Sequence, residues 1–321
     1  MAAGAQSSPV IRLSTGVPLV EVERNGVVES VHTGHVIVLD ADGRVRLSLG
    51  DPNQIVFARS SLKPLQATGM LRAGAELDPT EIALAAASHS GSPEHLRIIQ
   101  TMLANAGLTE SDLECPPALP LGVAEQRDYL RSGQQERRLA MNCSGKHTAM
   151  LITCLANNWT MSGYTAQEHP LQQQLAATVA ELAGEPIAAT AVDGCGAALF
   201  GVSLAGVARA FANLARGEDQ RVADAMREHP YLVGGNGRAA TELMQRIGGL
   251  IAKDGAEGGF AAALPDGGAV AVKIDDGASR AADIAVARAL SHLGVDTQEL
   301  TGVPVLGGGE PVGLIRPARG W

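Results

Sequence analysis

Strand-like alternation of apolar and polar residues is concentrated near the two ends of this chain. Near the N-terminus, apolar side chains take alternate positions on both sides of an Asp40–Gly43 turn: Val36, Val38, Val45, Leu47 and Leu49. The segment 260–274 repeats this hairpin pattern around Pro265–Gly268. A period of two residues is typical of β-strands joined by tight turns. From Ser60 onward the spacing becomes helical, with helices predicted at about 145–157, 170–183, 203–216 and 280–293.

Strands at both ends with helices between them predict an α+β fold, because a doubly wound sheet needs strands and helices in alternation. The end strands are expected to pair in one antiparallel sheet. Residues 1–58 and 255–321 are expected to form the sheet portion, and residues 59–254 the mainly helical portion. With no internal repeat and no long linker, residues 1–321 are interpreted as a single catalytic unit.

Composition and charge exclude several classes of function. The chain has 321 residues, of which 45% are hydrophobic, enough for a sizeable core. A net charge of -9 argues against nucleic acid or an anionic membrane as partner, since both require a basic face. No apolar run approaches the ~18–20 residues of a membrane span. Met1–Pro9 shows no export signal, so a cytoplasmic location is expected, with the four cysteines as thiols or metal ligands.

Ser60 and Lys63 are the first candidates for catalysis. They lie three residues apart at a predicted helix start, so the hydroxyl and the amine can share one face. A neutral lysine can accept the proton of an attacking serine. Bringing its pKa from ~10.4 to 7–8 requires about 3–5 kcal/mol, from burial or a nearby cation. The alternative is an ordinary surface helix start.

A second set of residues extends this pattern. Ser88-His89-Ser90-Gly91 lies at a break between two predicted helices, and Lys273 ends a strand rich in alanine and valine. Ser-x-x-Lys, Ser-x-Ser and a strand-borne lysine follow the order found in serine β-lactamases and penicillin-binding proteins, although the third element is not their Lys-Thr-Gly. The alternative is a pair of helix caps and an edge-strand lysine.

The third set combines thiols with an amine. Asn142-Cys143-Ser144-Gly145-Lys146-His147 and Asp193-Gly194-Cys195-Gly196 together offer two thiolates, which zinc prefers. No Cys-x-x-Cys spacing occurs, so free thiols are an equal alternative. His147 would be the conventional third ligand, because the amine of Lys146 must lose a proton before it can bind a metal.

Taken together, these motifs resemble the rhizobial-type L-asparaginases. The resemblance rests on Arg59–Pro64, Ala87–Gly91, Asn142–His147, Val192–Gly196 and Lys253–Gly258, and the matching motifs run in order from about residue 59 to 277. All four lysines of the chain, Lys63, Lys146, Lys253 and Lys273, fall within them.

The resemblance implies a serine β-lactamase-like fold, a homodimer, and hydrolysis of L-asparagine to L-aspartate and ammonia. It implies two Ser–Lys tandems, Ser60 with Lys63 and Ser88 (or Ser90) with Lys273. It further implies a zinc ion on Cys143, Lys146 and Cys195, and substrate-binding positions at Arg59, Ser90, His147 and Asp193.

Other functions stay open at this point. Glutamine differs from asparagine by one methylene, so some glutaminase activity is compatible with the motifs. Another serine acyl-transferase or amidase of the penicillin-recognising class would use the same Ser60–Lys63 chemistry. A non-catalytic protein that binds amino acids or zinc would also account for the residues.

Overall fold

The computed structural model describes residues 14–321. Its strands are β1 (Val17–Arg24), β2 (Val27–Leu39), β3 (Val45–Leu49), β4 (Ile55–Phe57), β5 (Ala189–Val192), β6 (Ala198–Ser203), β7 (Ile251–Asp254), β8 (Gly259–Ala263), β9 (Ala269–Ile274), β10 (Val303–Gly307) and β11 (Glu310–Pro317). Its helices are α1 (Lys63–Arg72), α2 (Pro79–Ala85), α3 (Pro93–Asn105), α4 (Val123–Arg131), α5 (Ser144–Ala156), α6 (Pro170–Ala183), α7 (Leu204–Arg216), α8 (Arg221–Glu228), α9 (Pro230–Val233), α10 (Ala239–Arg246) and α11 (Ser279–Ser291).

The two chain ends pair in one antiparallel sheet, which confirms the predicted α+β architecture. The strand order is β10-β11-β1-β2-β9-β8-β7, with β3 paired to β2. The junction between the ends is the β2–β9 pair, in which Val36 lies opposite Val272. Every residue of β8 and β9 is buried, and α7 and α11 both pack on these strands. Successive strand residues point to opposite faces, so both faces of the sheet centre are covered.

Two strands depart from the predicted division of the chain. β4, within residues 1–58, pairs with β6 in a separate sheet of order β4-β6-β5. β7, within the predicted helical portion, forms the edge of the main sheet beside β8. Both strands are too short, at three and four residues, to produce a clear alternation. No helix among residues 14–321 is long and apolar enough to cross a membrane.

Candidate active site

The serines of two separate motifs line one cavity of about 440 Å³. Ser60 lies in a 3₁₀ turn, Arg59–Leu62, that connects β4 to α1, and Ser88 lies between α2 and α3. The cavity is also lined by polar and charged residues from α5, α10, β7 and α11 or their flanking loops: Asn142, Arg238, Asp254, Ser279 and Asp283. The structure thus brings both predicted serines to one solvent-accessible space.

The amine of Lys63 lies beside Ser88. Its Nζ is 2.7 Å from the carbonyl oxygen of Ala87 and 2.9 Å from Oγ of Ser88. Lys63 is only 1% exposed, so its amine is sheltered from bulk water. No hydrogen bond joins the side chains of Lys63 and Ser60 within residues 14–321. The amine of the first motif is therefore paired with the hydroxyl of the second.

The 3₁₀ turn holds Ser60 against the end of β7. Three residues complete one 3₁₀ turn, so Ser60 and Lys63 project to the same side. A Cβ atom on Gly255 would lie 2.3 Å from the carbonyl oxygen of Ala58, so only glycine allows this approach. Ser61 Oγ donates a hydrogen bond to the carbonyl oxygen of Lys253 at 3.0 Å, which ties the turn to β7.

Lys273 is not brought beside Ser88. Its amine donates to the carbonyl oxygen of Ile274, and it borders a different cavity together with Arg59, Glu257 and Asp275. Burial lowers the pKa of Lys273, while the neighbouring carboxylates oppose this shift. The Ser88–Lys273 tandem that the resemblance implies stays a prediction, without a contact to support it.

Lys253 is the residue to which the sequence analysis gave no role. It lies on β7, next to Asp254 of the serine-lined cavity, and is 0% exposed. Its Nζ donates to Oδ1 of Asp254 at 2.7 Å. Burial lowers the pKa of Lys253 to about 8, opposed by Asp254 and assisted by Lys63 whenever that amine carries its proton. The signal that could have found it is Lys253-Asp254-Gly255, a Lys-x-Gly pattern on a strand.

Ser90 occupies a separate polar cluster. Its Oγ donates to Oε1 of Glu125 at 3.0 Å and lies 3.5 Å from Nδ1 of His95. Ser90 is 1% exposed and does not line the cavity that Ser60 and Ser88 share. Of the two serines left open by the sequence, the one in contact with the Lys63 amine is therefore Ser88.

The two thiols of the third motif meet at the N-terminus of α5. Lys146 Nζ lies 3.2 Å from Sγ of Cys195, and all three side chains, with that of Cys143, are buried. The neighbouring thiol of Cys143 and the Lys146 ammonium lower the pKa of Cys195 despite burial. Burial alone would lower the pKa of Lys146, but the thiolate charge outweighs it and raises that pKa. Cys195 therefore carries the negative charge of this cluster.

His147 lies close to Cys195, and its ring is held by a contact with the hydroxyl of Tyr164. The Tyr164 hydroxyl oxygen accepts the Glu114 N–H at 3.0 Å and lies 2.7 Å from Nδ1 of His147. Both rings are 0% exposed, so within residues 14–321 Nδ1 is the acceptor available for the Tyr164 proton. The hydrogen of a neutral imidazole then lies on Nε2, which has a proton to offer to Cys195 but no lone pair for a metal. His147 does not line the serine cavity, and its substrate-binding role stays a prediction.

The residues of this cluster suit zinc by their chemistry. Two thiols and an amine would supply three ligands of a tetrahedral ion and leave the fourth position free. Within residues 14–321 no group of three or more His, Cys, Asp and Glu side chains is placed to hold a metal. A zinc ion at this cluster would need the deprotonated amine of Lys146 as its third ligand. The Nε2 tautomer of His147 agrees with this choice.

Arg59 and Asp193 link the thiol cluster to the serine-bearing turn. Arg59 has a left-handed backbone, with φ of 52°, and its Nε donates to Oδ1 of Asp193 at 2.7 Å. Oδ2 of Asp193 lies 3.8 Å from Sγ of Cys195. This ion pair connects the residue that precedes Ser60 to the loop that carries Cys195. Their role in substrate binding stays a prediction.

The solved structures that are loosely similar to this chain include two hydrolases. One is a beta-lactamase from Mycobacterium bovis, 16% identical, covering 81% of this chain and 94% of that chain with a TM-score of 0.46. The other is EstCE1, a hydrolase with promiscuous acyltransferase activity, 12% identical, covering 75% and 88% with a TM-score of 0.41. A search of the curated proteins finds no match.

Family assignment rests on a different comparison. The sequence model of the L-asparaginase II family matches residues 20–317. This range includes both serines, all four lysines and both thiols of the cluster described above. The chain therefore belongs to the L-asparaginase II family of amidohydrolases.

Proposed function

We propose that this protein hydrolyses the side-chain amide of L-asparagine to give L-aspartate and ammonia, with Ser60 as nucleophile. The observation that carries the proposal is the cavity shared by Ser60 and Ser88, with the buried Lys63 amine 2.9 Å from Ser88. Serine hydrolysis of an amide needs a hydroxyl and a nearby base able to take its proton. Membership of the L-asparaginase II family supplies the substrate class.

The contacts of Lys63 suit a proton acceptor. A neutral amine has two N–H groups and one lone pair, and the contacts to Ala87 and Ser88 use both N–H groups. Its lone pair therefore remains available for the proton of Ser60. In the proposed sequence, Ser60 Oγ bonds to the amide carbon while its proton passes to Lys63. Ser88 then carries that proton to the leaving nitrogen, ammonia departs, and water hydrolyses the acyl-enzyme.

Lys253 is proposed as the second amine of the site, in place of Lys273. Its pKa of about 8 leaves part of it neutral near neutral pH, and it lies next to the wall that Asp254 and Gly255 form. A neutral amine here can hold the water or the leaving group in position without a permanent buried charge. The homodimer and the cytoplasmic location stay predictions.

The substrate assignment is tested by ammonia release from purified protein. L-Asparagine should be hydrolysed with a kcat/KM about 10- to 200-fold higher than L-glutamine, because one extra methylene must be fitted into the pocket. Equal rates on both amides would favour a glutaminase-asparaginase. Covalent labelling by a β-lactam without ammonia release from asparagine would favour a penicillin-recognising enzyme. The absence of both labelling and ammonia release would favour a binding protein.

Zinc binding by Cys143, Lys146 and Cys195 is a separate proposal. When bound, the ion would act as a Lewis acid that orients the amide carbonyl. Metal analysis should find about one zinc per chain, and Cys195→Ser should lower this content at least about tenfold because a thiolate ligand is lost.

Cys154→Ser is the matched control for this test. Cys154 is also a buried thiol on α5 but lies outside the cluster, and burial raises its pKa to about 11. It should retain the zinc content of the parent protein. Equal zinc contents in Cys195→Ser and Cys154→Ser would exclude the thiol cluster as the zinc site.

A further inference from the structure

One carboxylate in the serine-lined cavity, that of Asp283, has no partner among the described residues. Asp283 lies on α11, one turn from Ser279, and both residues line the cavity with Ser60. Residues spaced by three or four positions share a helix face, so the first turns of α11 form one cavity wall. No hydrogen bond or ion pair reaches the carboxylate of Asp283 from any residue of the range 14–321, whereas the nearby Asp254 is paired with both Lys253 and Arg238.

The charges around Asp283 favour the binding of a cation. Burial raises the pKa of Asp283 to about 7, the negative charges of Asp254 and Glu242 add to this shift, and Arg238 opposes it. Arg238 is already bound to Asp254. Above about pH 8, where Asp283 is ionised and Lys253 is neutral, the Arg238, Asp254 and Asp283 set carries one net negative charge. A ligand with a positively charged group would neutralise this net charge.

We propose that Asp283 binds the α-ammonium group of the substrate and so restricts the enzyme to free α-amino acid amides. This inference rests on the proposed function. The guanidinium of Arg238, whose Nε and Nη1 form no hydrogen bond with residues 14–321, is suited to the α-carboxylate of the same substrate. Charge pairing at the head group would fix which end of the amino acid faces Ser60, because the side-chain amide is the other end.

The test compares two substrates that differ in one group. Succinamate is asparagine without its α-amino group, so it cannot use Asp283. In Asp283→Asn, kcat/KM for L-asparagine should fall about 10- to 150-fold, mainly through KM, because a charge-assisted hydrogen bond to the substrate is lost. The kcat/KM for succinamate should change by less than about threefold. Asp42→Asn, which removes an exposed carboxylate in the β2–β3 turn, should change neither.

Folding of the variant is checked by its thermal midpoint. A carboxyl with a raised pKa is ionised at a cost above pH 7, so removing its charge should leave the midpoint of Asp283→Asn at pH 8 equal to or above that of the parent. A parental preference for asparagine over succinamate that persists in Asp283→Asn would overturn the inference while leaving the proposed function in place.

Ligand binding distinguishes the head-group inference from the proposed reaction if the protein does not hydrolyse asparagine. Calorimetry on the parent protein should show L-aspartate binding more tightly than succinate, which lacks the amino group, and Asp283→Asn should remove this difference. If the parent protein does not hydrolyse asparagine but shows the Asp283-dependent difference, the head-group inference holds and the proposed reaction falls. Equal binding of the two ligands by the parent protein would overturn the inference.

Discussion

Ser60→Ala should lower kcat for L-asparagine by about 10⁴- to 10⁶-fold, the effect expected when a nucleophile that forms a covalent intermediate is removed. The residual rate would come from binding and electrostatic stabilisation alone. KM should change little, because Ser60 lies in a wall of the cavity and loses only one oxygen. Steady-state ammonia release measures the effect.

Mass spectrometry with an activated β-ester of L-aspartate identifies the nucleophile directly. The parent protein and Ser88→Ala should both gain the acyl group on Ser60, with Ser88→Ala turning over more slowly. Ser132→Ala, a surface serine after α4, should behave as the parent. An acyl group on Ser88 in the Ser60→Ala variant, with activity kept, would assign the nucleophile to the other serine.

The second large effect on kcat/KM is expected when Lys253 is replaced, and only a small effect when Lys273 is replaced. Lys253→Met should lower kcat/KM by about 10²- to 10⁴-fold, the usual contribution of a positioned proton-transfer group. Lys273→Met should lower it by less than about tenfold, because this amine borders another cavity. Both substitutions keep a long apolar side chain at a buried position, and circular dichroism checks that each variant is folded.

The pH profile supplies a second readout for Lys253. Its neutral form is the active one in the proposed mechanism, so raising the pH through about 8 removes a proton and increases the rate. The parent kcat/KM should therefore rise with pH and level off above pH 8, and this limb should be missing in Lys253→Met. A profile that is lost in Lys273→Met and retained in Lys253→Met would return the second tandem to Lys273.

Local signals explain which parts of the fold could be predicted from sequence. The helix predicted at 170–183 matches α6, because Pro170 starts it and Gly184, in the left-handed conformation, ends it. The β2–β3 and β8–β9 hairpins were predicted from their turns and their alternation. β4 and β7 carry no such local signal, and their sheet partners are set by tertiary packing.

The site was harder to predict than the fold because its contacts join distant segments. Ser60 and Lys63 were found from one motif, but the partner of the Lys63 amine is Ser88, and that contact depends on where α2 ends. Lys253 and Asp283 belong to different elements that meet only around the cavity. The significance of Asp283 follows from its having no partner within residues 14–321, which no spacing in the sequence reveals.

The β2–β9 pair also determines when the main sheet can close during synthesis of the chain. β2 ends at Leu39 and β9 begins at Ala269, so the ribosome must add about seven tenths of the chain before the two can join. Until then the C-terminal half of β2 has an open edge, the kind of surface on which nascent chains associate with one another. The turn that carries Ser60 packs on β7 and β8, so this serine reaches its place in the cavity only after those late strands have been made.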